Sequence, residues 1–260
     1  MNRKTTAFVI TTLTAGLLLI LAGSLIPHSP ATLRPQTEQT ETTLKEIQGE
    51  FTNVNIDVQA ADIQILQGKE FSIQYHLDEK EKIITAQIDN GTLTLITEPG
   101  LGWHPGRKKG QVIITLPEQQ KLNQVDLNTV SGTVTLEQIT MDTGNIRTTS
   151  GQIRITDTEA DHLDAENKTG ALSISGMVNT ISLHSISGSL TLQGQVNTSA
   201  SLETVSGKIE VEAPFNTVHA ESMREITVNG QKQGRQFNFG KDSPQLNVKS
   251  VSGKIRLDLE

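Results

Sequence analysis

The sequence contains no cysteine and few aromatic residues, and each shortage excludes a class of structure. Without cysteine there are no disulfides, thiolate metal ligands, cysteine nucleophiles or lipid-modified cysteines. Aromatic residues make up 3% of the 260 residues, so Val, Ile and Leu must build the core, and these residues favour strands. The formal charge is −7 and the basic residues are scattered, which makes nucleic acid a poor partner.

The N-terminal segment predicts export. Arg3 and Lys4 precede an uncharged run of 22 residues, Thr5 to Ile26, which is long enough to span a bilayer. Positive charge before the span predicts a cytoplasmic N-terminus, so residues 1–26 are interpreted as a tail and a transmembrane helix of a single-pass protein. Small residues near the end of the run leave open a cleaved signal peptide and a secreted protein. Both alternatives place the following domain outside the cytoplasm.

Two further regions precede the main pattern of the sequence. Residues 27–46 hold three prolines and many Thr, Gln and Glu residues without apolar periodicity, which predicts an extended stalk. Residues 47–122 carry alternating apolar residues, and Asn90-Gly91 supplies a hairpin turn. This N-terminal region is therefore predicted to consist of β-hairpins, with one conspicuous loop near residues 99–110.

A repeat of about 19 residues organises the chain after Leu122. Ser-Gly or Thr-Gly recurs six times, and the first five glycines are separated by 19, 19, 18 and 19 residues. Aliphatic residues keep fixed offsets of five positions before, and two and four positions after, each glycine. The glycines of the repeat are Gly132, Gly151, Gly170, Gly188, Gly207 and Gly253.

This repeat predicts an all-β fold, in which a β-solenoid covers residues 123–260. Each coil would consist of a strand, a Ser-Gly corner, a second strand and a turn, and stacking of the coils would bury the aliphatic columns. Glycine at the corner is expected to supply unrestricted backbone angles, and the hydroxyl before it to bond nearby backbone.

The long gap between Gly207 and Gly253 is interpreted as a degenerate coil followed by an insertion. Arg224 and Glu225 stand in this coil in place of Ser-Gly, and Asn229-Gly230 opens a hairpin insertion over residues 229–240. The repeat then resumes, and its last coil ends at the C-terminus. Such a stack has an exposed terminal edge, which the hairpin with Phe237 and Phe239 is predicted to cap.

The Ser-Gly-x-aliphatic-x-aliphatic units, preceded by a strand that ends Ile114-Thr115-Leu116-Pro117, resemble a known bacterial group. Residues 47–260 are similar to the "putative adhesin" or β-strand-repeat family of unknown function. Together with the anchor, they resemble the membrane-anchored Lia-type proteins of Gram-positive bacteria. The resemblance implies a role at the cell envelope beside stress signalling, and it implies no catalytic residues and no cofactor.

Enzymatic and metal-binding interpretations have little support in the sequence. Acidic residues between Thr156 and Lys168 are interpreted as a solvated turn, since equivalent turns lack further acids or Arg. His162, His184 and His219 lie at different offsets from their corners, so no zinc site is predicted. No nucleophile elbow is present, and the repeated serines are explained by the corners. The chain is therefore predicted not to be an enzyme. The acidic residues are Asp157, Glu159, Asp161, Asp164 and Glu166.

The loop near residues 99–110 is the one segment that the repeat does not explain. It carries the only Trp of the chain, Trp103, close to Arg107, Lys108 and Lys109. An amphipathic ring beside cations can contact lipid headgroups or an acidic partner. The alternative is a hairpin loop with Trp103 folded onto its own sheet.

Two functions remain open. The first is a membrane-anchored, extracytoplasmic scaffold or sensor that contacts envelope proteins, signalling proteins or wall polymer and modulates a stress response. The second is a surface adhesin for an external or cell-wall ligand. A stalk of about twenty residues has a short reach, which favours the first.

Overall fold

The computed structural model describes residues 44–79, 81–98 and 109–259, and these ranges contain β-strands and no helix. They accordingly contain no helix that could cross a membrane. The predicted transmembrane segment, and most of the predicted stalk, lie outside the described residues. The strands are β1 (Lys45–Ile47), β2 (Asn53–Val58), β3 (Ala61–Gly68), β4 (Ser72–His76), β5 (Ile83–Asp89), β6 (Thr92–Thr97), β7 (Gly110–Pro117), β8 (Lys121–Ser131), β9 (Val134–Glu137), β10 (Thr140–Ser150), β11 (Ile153–Thr169), β12 (Leu172–Ser187), β13 (Leu190–Ser206), β14 (Ile209–Glu212), β15 (Thr217–Ser222), β16 (Ile226–Val228), β17 (Gln231–Lys232), β18 (Gln236–Phe239), β19 (Gln245–Ser250) and β20 (Ile255–Asp258).

The strands form a β-solenoid of nine stacked coils, each with one segment before its corner and one after it. The segments before the corners pair in parallel in the order β6, β2, β8, β10, β11, β12, β13, β19, β15. The segments after the corners pair in parallel in the order β7, β3, β9, β11, β12, β13, β14, β20, β16. Strands β11, β12 and β13 each run around the turn from one coil into the next. The all-β solenoid predicted from the repeat is confirmed.

The inward columns are those that the sequence predicts. Side chains two and four positions after each corner glycine, and five positions before it, are buried, as Leu127, Ile153 and Leu192 illustrate. The register brings equivalent residues side by side, so that Leu183 lies beside Leu202 and Ile174 beside Leu192. Each aliphatic side chain is thereby covered by the same kind of side chain above and below it, which buries the face that no single coil could bury alone.

The solenoid begins earlier than residue 123, where the sequence places it. Strands β2 and β3 form a coil that pairs in parallel with β8 and β9, and β6 and β7 form a further, outermost coil. At this end of the stack, β1 pairs antiparallel with β4, β4 with β7, and β5 with β6. The hairpins predicted for residues 47–122 are therefore confined to the cap at this end. The β5–β6 hairpin has Asn90 and Gly91 at positive φ, which confirms the predicted turn.

The coils do not stack in sequence order at the C-terminal end of the solenoid. The last coil, β19 and β20, lies between the β13–β14 coil and the degenerate β15–β16 coil. The predicted hairpin insertion pairs with this outermost coil, since β17 runs antiparallel to β16 and β18 antiparallel to β15. The hairpin therefore covers the edge of the stack, and the C-terminal strands β19 and β20 lie inside it.

Close approach between coils, and not free backbone angles, explains the corner glycines. Of the six, Gly170 alone has a positive φ. A Cβ on any of them would meet backbone oxygen of the neighbouring coil, such as Gly170 O at Gly188, within 3.0 Å. The expectation about backbone angles is thus wrong for five corners, because the glycines stack directly upon one another and leave no room for a side chain.

A buried polar column lies under the corners, three positions before each glycine. In one coil the Thr129 hydroxyl donates to Ala61 O at 3.3 Å, and in another the Ser250 hydroxyl accepts from Gly253 N at 2.8 Å. Val58 occupies the same column beside Thr129. The aliphatic pattern of the repeat does not reveal this column, although its members keep a fixed offset from the glycines. Its polar members are Thr129, Thr148, Asn167, Ser185, Thr204, Ser250 and Ser222.

Candidate interaction surface

The corner edge of the solenoid carries two exposed columns. The first consists of the repeated Ser and Thr hydroxyls, of which Ser252 donates to Val205 O at 3.2 Å across the coil boundary. The second is formed by the residue before each Ser or Thr, or before Arg224 in the degenerate coil, and it is apolar in the four coils nearest the C-terminal end of the stack. We call this second set the aliphatic ridge: Ile186, Val205, Val251 and Met223.

The aliphatic ridge was missed because its members do not look contiguous in the sequence. Ile186, Val205 and Val251 precede Ser-Gly at the same offset, and that offset was available as a signal. Met223 belongs to the degenerate coil, which lacks Ser-Gly, and the pairing of β19 with β15 places it beside Val251. The corresponding residues toward the other end are Lys168, Thr149 and Val130, so two polar side chains separate the exposed Val130 from the ridge.

The acidic residues between Thr156 and Lys168 are not gathered in one turn. Strand β11 runs unbroken through them, and they project from different places along it. Asp164 and Glu166 lie 3.8 and 3.6 Å from Arg147 of the neighbouring coil, and Asp161 accepts from Asn179 at 2.8 Å. These carboxylates contact neighbouring coils, and such exposed pairs each contribute little to stability.

The three histidines of the repeat region, His162, His184 and His219, lie apart from one another as well. His184 lies 3.9 Å from Glu203, His219 lies 2.9 Å from the Asn238 side chain, and His162 contacts the Asp161 carbonyl. Within the part of the chain that the structure describes, no three acidic or histidine side chains are grouped so as to hold a metal ion. The donor set that zinc requires is thus not assembled there.

The loop around Trp103 leaves the solenoid at a corner. Its roots are Glu98, after β6, and Gly110, whose N–H donates to Ala60 O at 2.7 Å. Trp103, Arg107 and Lys108 lie outside the described residues. Lys109 is described, and its ammonium group lies 2.6 Å from Asp62, so this cation is part of the corner itself.

A buried carboxylate supports the corner next to these roots. Glu81 is 5% exposed, and its Oε1 accepts from Gln59 N at 2.5 Å and from the Thr97 hydroxyl at 2.9 Å. Gln59 lies at the corner of the β2–β3 coil and Thr97 ends β6 of the outermost coil. Glu81 therefore ties the two coils together, a role that the charged tract around it did not reveal in the sequence.

Among the described residues, two groups have shifted pKa values, and both shifts lead away from neutral pH. Burial raises the pKa of the Tyr75 phenol, and the hydrogen bond from Lys121 to Asp142 raises the pKa of that ammonium group. A general acid or base works best with a pKa near the pH at which it operates. These two groups are therefore not prepared for proton transfer at neutral pH.

Comparison with known proteins classifies the chain. A family model described as Toastrack DUF4097 matches residues 51–260, which includes the two N-terminal coils. No curated protein matches the chain. A structure from Bacteroides fragilis, described as a "putative adhesin", has 15% identity and a TM-score of 0.44, and the match covers 83% of this chain and 95% of that one.

Two structures from Parabacteroides distasonis are also similar. One is described as a "putative lipid binding protein", with 16% identity, a TM-score of 0.40, and a match over 84% of this chain and 94% of that one. The other is described as a "putative adhesin", with 14% identity, a TM-score of 0.35, and a match over 84% and 96% of the two chains.

Proposed function

Because this chain belongs to the Toastrack DUF4097 family, we propose that it is a non-enzymatic β-repeat scaffold or sensor of the cell envelope. Residues 5–26 anchor it in the membrane as a single-pass protein, and the solenoid lies on the extracytoplasmic side. Through contacts with envelope proteins, signalling proteins or wall polymer it modulates an envelope-stress response.

One observation carries this proposal: the recurrent polar residues of the chain serve the stack. The glycines allow coils to approach, some hydroxyls beneath the corners, such as that of Thr129, bond backbone, and carboxylates such as Glu166 and Glu81 join one coil to the next. What remains exposed is a long, rigid surface of repeated columns. Such a surface suits the presentation of contacts to a polymer or a protein partner.

The loop around Trp103 is proposed as one of these contacts. Its roots lie at the corner edge, and Trp103 with Arg107 and Lys108 suits a lipid headgroup or an acidic partner. The loop variant W103A/R107Q/K108Q should therefore lower the output of an envelope-stress reporter. The variant K69Q, which removes an exposed cation elsewhere, is the control. Equal output from the loop variant and the native chain would remove the loop from the function.

The anchor and the side of the membrane can be tested because the native chain has no cysteine. Gln195 is exposed at the turn edge of the solenoid, so Q195C provides a single reactive thiol. A membrane-impermeant maleimide should label this variant on intact cells, and the label should stay with the membrane after washing. Labelling only after lysis would contradict the extracytoplasmic location, and release of the labelled chain into the medium would indicate secretion.

The scaffold and adhesin functions can be distinguished in a deletion strain that lacks the protein. The scaffold predicts an altered output of an envelope-stress reporter under membrane stress, with surface attachment unchanged. An unchanged reporter together with loss of attachment would favour the adhesin. The K69Q chain, restored in the deletion strain, should return the native output and so control for expression.

A further inference from the structure

We propose that the aliphatic ridge is a membrane-contact surface, which rests against anionic lipid headgroups with its side chains in the interface. This inference rests on the proposed anchoring of the chain, and it adds a second contact at the opposite end of the solenoid from β1. The ridge belongs to the rigid stack, so it is independent of the loop around Trp103.

The ridge is continuous in space although its members are scattered in sequence. Ser185 lies beside Thr204, Thr204 beside Ser250, and Ser250 beside Ser222, so the residues that follow them form one row. At the usual separation of paired strands, the four side chains span about 14 Å. They are 45%, 45%, 44% and 68% exposed in the order Ile186, Val205, Val251 and Met223.

Cations without ion-pair partners among the described residues flank both sides of the ridge. Lys249 and Arg235 lie on one side, and Lys254 and Arg224 on the other; all four are exposed. Arg224 also donates to Ser252 O at 2.8 Å, which holds its guanidinium beside the Ser column. The chain as a whole has a charge of −7, so this concentration of cations around an apolar row is local.

The acidic residues near the ridge do not cancel this charge. Glu203 and Glu221 lie on either side of Lys249 in the strand register, and Glu225 pairs with Lys232 at 3.0 Å. Glu221 is exposed between Lys249 and Gln236, and it lines with them a shallow groove of about 590 Å³ beside Met223 and Val251. The cations thus outnumber the unpaired acids, and charge complementarity favours an anionic partner.

The shape of the surface favours a lipid bilayer over a protein. Four aliphatic side chains on one edge fall well short of the roughly 800 Å² per partner that a stable dimer buries. An extended acidic peptide would lie along one flank and leave the cations of the other flank unpaired. A planar anionic surface engages both flanks at once while the aliphatic row enters the headgroup region, as in interfacial membrane binding.

The test uses the full-length chain with one cysteine carrying an environment-sensitive fluorophore, because the native sequence has none. V205C reports on the ridge, and Q195C, on the turn edge of the same part of the stack, is the matched control. Each variant is reconstituted into phosphatidylcholine vesicles with or without phosphatidylglycerol. The vesicles contain lipids with a nitroxide quencher on the acyl chain.

In anionic vesicles the V205C label should shift to the blue and lose about half of its fluorescence to the quencher, whereas Q195C should lose little. Adding K249Q and K254Q should return V205C to its behaviour in phosphatidylcholine. Vesicle flotation tests the anchor separately. A chain that floats while its V205C label matches Q195C overturns the ridge contact and leaves the anchor intact.

Two other outcomes are informative. A blue shift at V205C without lipid quenching would mean that protein covers the ridge, and it would overturn the membrane contact. If the chain does not float, the anchor is wrong. The ridge is then judged by quenching of chain added to preformed anionic vesicles, where a V205C signal equal to that of Q195C overturns it.

Discussion

At the scale of single residues, the corner glycines can be tested against a matched glycine of the same chain. Gly188 stacks on Gly170, whose carbonyl leaves no room for a Cβ, whereas Gly234 has nothing within 4 Å of a Cβ. We expect G188A to lower the free energy of unfolding by at least about 1–3 kcal/mol, because backbone must move apart. G234A should change it little. Thermal unfolding followed by circular dichroism measures both, and equal effects would contradict the stacking explanation.

The buried polar column permits a second residue-scale prediction. The hydroxyl of Thr148 has no hydrogen-bond partner among the described residues, and Val58 already fills the same column in another coil. Replacing an unsatisfied buried hydroxyl by an apolar group of the same shape is nearly neutral or stabilising, so T148V should keep or raise the melting temperature.

The control for that substitution is Ser250, whose hydroxyl does have a partner. It accepts from Gly253 N at 2.8 Å, and S250A leaves this buried N–H without its bond. We expect a loss of about 1–3 kcal/mol for S250A, measured in the same unfolding experiment. A greater loss for T148V than for S250A would show that the column is held by bonds that geometry does not reveal, such as those to ordered water.

At the scale of elements, the sequence predicted the coils, the two Asn-Gly hairpins and the inward columns. These features depend on local chemistry: a period of two in each strand, a turn that needs positive φ, and the same residues at every corner. Glu81 was not predictable in this way, because its role depends on which coils become neighbours, and that is not encoded in any one segment. The polar column does keep a fixed offset of three residues before each glycine, so the repeat itself carried that signal.

The hairpin insertion over residues 229–240 allows a prediction about a single element. Strand β18 covers the outer edge of β15, and Phe237 packs partly against the core while Phe239 is 56% exposed. We expect F237A to lower the melting temperature and to increase association, because the cap loosens and exposes the β15 edge. F239A, on the same strand, should do neither. Unfolding and size-exclusion chromatography measure the two effects; a matching loss in F239A would mean that the hairpin binds elsewhere.

At the scale of the whole molecule, the order of the coils is what sequence reasoning could not supply. A 19-residue repeat suggests that each coil stacks on the one before it. Gly207 nevertheless lies directly against Gly253, although the degenerate coil and the hairpin separate the two glycines in the sequence. Within the aliphatic ridge, this order makes Met223 the neighbour of Val251 rather than of Val205. Parallel register alone does not decide which coil goes outermost, because either order satisfies the backbone bonds.

The enclosed position of the last coil can be tested by deletion. Removing residues 217–243 would delete the outermost coil and the hairpin, and it would bring Gly207 and Gly253 to the ordinary repeat spacing. Because β19 and β20 already pair with β13 and β14, we expect this shortened chain to fold, with lower stability and with association through the newly open edge. Removing residues 245–260 instead should be more damaging, since β15 and β16 would lose the strands on which they pair. Hydrogen exchange of the amides in β12 and β13 measures how far each loss spreads, and equal damage from the two deletions would contradict the enclosed order.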